Sequence, residues 1–89
     1  MRRMEEFELV FPCEFSIRVI GRDEDNFELF VRRVVAQHVP EVIPDSFSTR
    51  SSREATYLSV TVEFLAENRA QLDALYRDLG DDPRVKVIL

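Results

Sequence analysis

Eighty-nine residues, 45% hydrophobic and 33% charged, leave room for one folded unit and hold too much apolar content for a disordered chain. A net charge of −5 argues against sequence-independent attraction to nucleic acid, and a single cysteine excludes an internal disulfide framework or a cysteine-built metal cage. No apolar run is long enough to span a bilayer, and Glu5, Glu6 and Glu8 break up the only stretch resembling a secretion signal, so a cytoplasmic setting without membrane insertion is expected.

In chain order, residues 1–10 read as a charged lead-in to a single domain over residues 11–89, with apolar anchors at Phe7, Leu9 and Phe11. Phe15, Ile17 and Val19 alternate with Ser16, Arg18 and Ile20, the period-2 pattern of a strand with one buried face. Pro12 stands where a strand begins, and Gly21 releases it. Phe27, Phe30, Val31, Val34, Val35 and His38 then recur at helical spacing. Asp25 with Glu28 fits a capping box, Asp23 is the alternative cap, and Pro40 stops the helix by restricting Val39.

A polar stretch from Ser46 to Ser52, with Phe47 as its inward residue, predicts an edge strand. Leu58, Val60, Val62 and Phe64 alternate with Tyr57, Ser59, Thr61 and Glu63 and predict a central one. Leu72, Leu75, Tyr76 and Leu79 mark a second helix, with Asn68 and Gln71 as a cap pair and Gly80 just past its end. In the closing RVKVIL, Val85, Val87 and Leu89 are expected inward and Arg84, Lys86 and Ile88 outward.

The order β-α-β-β-α-β predicts an α+β, ferredoxin-like fold: a four-stranded antiparallel sheet in order 4-1-3-2 with both helices on one face. Its uncovered face is expected to gather Arg18, Ile20, Tyr57, Ser59, Arg84, Lys86 and Ile88.

Phe11-Pro12, Phe15, Arg18-Val19 and Gly21, then Tyr57 with Ser59 to Val62, then Leu75-Tyr76 and Leu79 with a closing Val85 to Leu89, resemble the YbeD-like family of small bacterial domains of unknown function. The resemblance covers nearly the whole chain from Phe11. It implies a ferredoxin-like fold similar to ACT regulatory domains and carries over no functional residue set. Some members are encoded beside lipoate-attachment genes, so it also suggests lipoate metabolism as a setting. Two departures stand out: Arg18 occupies a position where lysine is common, and the hairpin from Ser51 to Thr56 lacks the expected glycine.

No catalytic constellation emerges. Cys13 has Glu14 beside it and no nearby base, so it reads as a small hydrophobe, and His38 reads as a helix-terminal residue serving the dipole. Asp23-Glu24-Asp25 lacks the spacing of a metal loop, and Gly21 alone does not make a phosphate cradle. The chain is therefore expected to be no enzyme, to need no cofactor or metal, and to act as a small regulatory or adaptor domain through contacts with itself or a protein partner, with a small metabolite as a further ligand. The alternative is single-stranded RNA binding through Arg18, Tyr57, Arg84 and Lys86, disfavoured by the acidic total and the lone aromatic platform. A small enzyme using Cys13 ranks third.

Overall fold

A computed structural model of the chain describes residues 9–89. Of the expected lead-in, Phe7 lies outside the described residues, Leu9 and Val10 are exposed, and half-buried Phe11 packs against the core. The elements run β1 (Cys13–Arg22), α1 (Phe27–His38), a 3-10 turn (Pro44–Ser46), β2 (Phe47–Ser51), β3 (Tyr57–Ala66), α2 (Arg69–Gly80) and β4 (Val85–Ile88). The sheet order is β2-β3-β1-β4, antiparallel throughout, so the expected order holds and the two most apolar strands are central.

Both helices cover one face because the period-2 stripe of each central strand needs an apolar partner and the helix stripes supply it. Ile17 and Val19 of β1 and Val60 and Val62 of β3 are closed off by Phe27, Val31 and Val35 of α1 and Leu75 and Leu79 of α2, all at most 1% exposed. His38 ends α1, and its Nε2 lies 2.6 Å from Asp78 Oδ2, tying the two helices together. At the start of α2 the expected cap pair forms: Asn68 accepts from the Gln71 amide at 2.8 Å, and the Gln71 side chain accepts from the Glu67 amide at 2.7 Å.

Two local expectations are corrected. The capping box at α1 does not form, because Asp25 and Asn26 both take left-handed backbone (φ 53 and 56) and Asn26 becomes the N-cap without a side-chain bond. Glu28 then stands one position too early to reach back, and it takes Arg32 Nε at 2.9 Å instead. Gly80 is not the residue past α2 but its last helical one; Asp81 ends the helix in right-handed geometry, and no glycine has a positive φ. In the glycine-free hairpin, Ala55 is forced to φ 60.

That last strain is testable. A left-handed alanine costs about 1–2 kcal/mol that glycine does not incur, partly offset by the greater freedom of glycine in the unfolded chain. Ala55→Gly is expected to stabilise the fold by up to about 1 kcal/mol, read as a higher urea midpoint with an unchanged slope.

Candidate functional site

The last strand decides what the uncovered sheet face carries. β4 pairs with β1 as Val19 to Ile88 and Ile20 to Val87, but Gly21 pairs with Val85, so Lys86 is an extra residue in a bulge. A one-residue slip sends every later side chain to the opposite face. Ile88, expected outward, therefore lies beside Val19 and packs against the core, while Val87, expected inward, lies beside Ile20 on the open face. Leu89 exchanges backbone hydrogen bonds with Arg18 at 2.8 and 3.1 Å and so shares the open face too, again against expectation.

Arg84 also leaves the expected group. Its guanidinium lies 5.0 Å from the ring centroid of Phe30 and 5.5 Å from that of Phe27, on the helix side. Nη1 donates to the carbonyls of Glu24 and Asp25 at 2.9 and 2.8 Å, and Nε and Nη2 donate to the two Asp82 carboxylate oxygens at 2.9 and 3.0 Å. This is a structural clamp, with the Arg84 and Asp82 side chains 13% and 17% exposed. The Arg84 hydrogen bond, aided by its charge, holds the Asp82 carboxyl below the usual aspartate range.

Arg18, Ile20, Tyr57 and Ser59 do share the open face, set by their register: Arg18 beside Thr61, Ile20 beside Ser59, and Tyr57 beside Arg22. Lys86 is exposed in the bulge. Two residues outside the expected group join from β2, Ser48 beside Thr61 and Arg50 beside Ser59. The alternation of SFSTRSS around Phe47 carried that signal, because it turns Ser48 and Arg50 away from the core.

The face thus has two halves. Over β1 and β4 runs an apolar strip of Ile20, Val87 and Leu89, with Tyr57 diagonal to Ile20 across the β1–β3 ladder. Over β2, β3 and β1 lies a basin of about 520 Å³ lined by Arg18, Ser48, Thr49, Arg50, Ser59 and Thr61. Cys13 is half-buried at the core's edge, and no cluster of three metal-ligating side chains stands together among the described residues. No described helix is long and apolar enough to cross a membrane.

A family described as a protein of unknown function (DUF493) matches residues 6–89. A UPF0250 protein of Nitrosomonas europaea is 36% identical over 85 residues, covering 96% of this chain and 98% of its own. Another, from Neisseria gonorrhoeae, is 38% identical over 79 residues, covering 89% and 87%. Among solved structures, a protein from H. pylori superposes with a TM-score of 0.68 at 16% identity, over 92% of this chain and 86% of that one. The ACT domain of a GTP pyrophosphokinase from Chlorobium tepidum also gives 0.68, at 13% identity over 85% and 94%. At these identities the structural likenesses establish the ACT-like, ferredoxin-like fold and nothing further.

Proposed function

The chain belongs to the DUF493 family, and from that premise we propose that it is a non-catalytic regulatory or adaptor domain whose working surface is the uncovered sheet face. The observation that carries the reading is the apolar strip. Val87 is 41% exposed, Tyr57 38% and Leu89 61%, side by side with Ile20 on a face no element of the described chain covers. An idle sheet face reads polar throughout, whereas contiguous apolar side chains rimmed by charge fit a surface that meets another protein. The ACT-like fold supports a regulatory role in kind. The expected cytoplasmic setting belongs to the same reading, and the partner is a second copy or another protein.

Val87→Glu tests it, because the substitution places a charge in the strip without touching the core. Sedimentation velocity and affinity capture are run on the wild-type and variant chains in parallel. The wild type is expected to self-associate or retain a specific protein, and Val87→Glu to lose that association with its melting temperature unchanged. A wild-type chain that stays monomeric and retains no protein overturns the reading.

A further inference from the structure

We propose that the basin on the open sheet face binds a small phosphate monoester, held by Arg18 and Arg50 as paired guanidiniums over the hydroxyls of Ser48, Ser59 and Thr61. The proposal rests on the reading of the uncovered face as the working surface, and gives that face a ligand of stated chemistry.

The register builds the site. Arg18 on β1 and Arg50 on β2 flank β3 diagonally, since Arg18 lies beside Thr61 and Arg50 beside Ser59. Their backbones are separated by two strand spacings, about 10 Å, and by two residues along the strands, about 7 Å. Both arginines line the one basin, and Ser59 and Thr61 of β3 stand between their strands. No carboxylate lines the basin, although the chain as a whole carries a net charge of −5. Arg22, Arg32 and Arg84 are each paired with a carboxylate, whereas Arg18 and Arg50 hold no side-chain partner among the described residues.

The donor set selects the ligand. One guanidinium fork satisfies a carboxylate, which would leave the second arginine and the hydroxyls idle. A phosphate monoester brings three terminal oxygens and close to two negative charges, enough for both forks and a hydroxyl. The basin volume of about 520 Å³ exceeds what a phosphate group fills and falls within the range of small-molecule sites. Ile20, beside Ser59, borders it with apolar surface for the esterified body.

The test is an amide NMR titration of the wild-type chain with glycerol 3-phosphate at constant ionic strength, with sodium chloride, succinate and a single-stranded RNA oligonucleotide in parallel arms. Saturable shifts are expected at residues 18, 48–50 and 59–61. The double variant Arg18→Gln/Arg50→Gln is expected to bind at least about tenfold more weakly, each lost charge-assisted hydrogen bond alone corresponding to that factor, with the rest of the spectrum unchanged. Arg33→Gln, which removes an arginine on α1 outside the basin, should bind as the wild type does. Pelleting with phosphatidylcholine vesicles containing phosphatidate separates a lipid headgroup from a soluble ester: arginine-dependent pelleting overturns the small soluble ligand, and its absence supports it. Absence of saturable shifts, equal shifts with succinate or chloride, tighter binding of the oligonucleotide, or undiminished binding by the double variant overturns the proposal. Loss of the ligand with partner association intact overturns this inference alone.

Discussion

Gly21→Ala is expected to destabilise the domain by about 3 kcal/mol or more, a large part of what a chain of this size has to lose. Gly21 faces the helix side of the sheet, against the ring of Phe27, the first residue of α1. A Cβ there would collide with Cζ of Phe27 and stand 2.7 Å from the carbonyl oxygen of Arg84. Neither obstacle can give way cheaply. Phe27 is fully buried, and the Arg84 carbonyl accepts the Arg22 amide at 2.9 Å, which holds β4 to β1 at the bulge. Alanine would also restrict the unfolded chain, a gain of about 0.4–1 kcal/mol, so the collision has to outweigh that. At the usual sensitivity of small domains, the melting temperature should fall by more than about 10 °C. A loss below about 1 kcal/mol in urea unfolding would mean that Phe27 has another place to go.

Gly21 also shows where sequence reading stops. Its role as a strand terminator could be read from its position, but β1 in fact runs one residue further, and the demand for glycine comes from a ring six positions on and a carbonyl in the turn just ahead of β4. The elements themselves were legible because each is written in a local period: the alternation of β1 and β3, the stripe from Phe27 to Val35, the Asn68–Gln71 cap. Strand order followed from the β-α-β-β-α-β succession, and the apolar content of β1 and β3 agreed with it. What was not legible depends on tertiary register. Nothing in RVKVIL marks Lys86 as an extra residue, yet that bulge exchanges Ile88 for Val87 and Leu89 on the open face. The backbone at Asp25 and Asn26 was equally hidden, since acids before a helix suggest side-chain caps, and here the backbone turns its carbonyls toward Arg84 instead. Arg50 stood in plain sight. Its outward direction follows from the alternation around Phe47, but in an edge strand so polar that alternation does not stand out.

Arg84→Ala is expected to cost about 2–3 kcal/mol, and its pH dependence separates the clamp from simple packing. Removal leaves the Asp82 carboxylate without its ion pair, deprives the Glu24 and Asp25 carbonyls of their donor, and uncovers the Phe27 and Phe30 rings. Arg84→Lys should recover only part of the loss, because one ammonium cannot grip both carboxylate oxygens while reaching two carbonyls. In the folded wild type the Arg84 hydrogen bond lowers the Asp82 pKa below its ordinary value of 3.8. A group lowered on folding stabilises fully above its unfolded pKa, and that contribution is lost as pH falls from there through the folded value. Wild-type stability should therefore decline below pH 3.8 in part through Asp82, and Arg84→Ala, already without the pair, should show a shallower decline over the same interval. Urea midpoints measured from neutral pH into that acid range give the comparison. Parallel acid limbs in the two proteins would show that the contribution of Arg84 comes from its rings and carbonyls, with Asp82 a bystander.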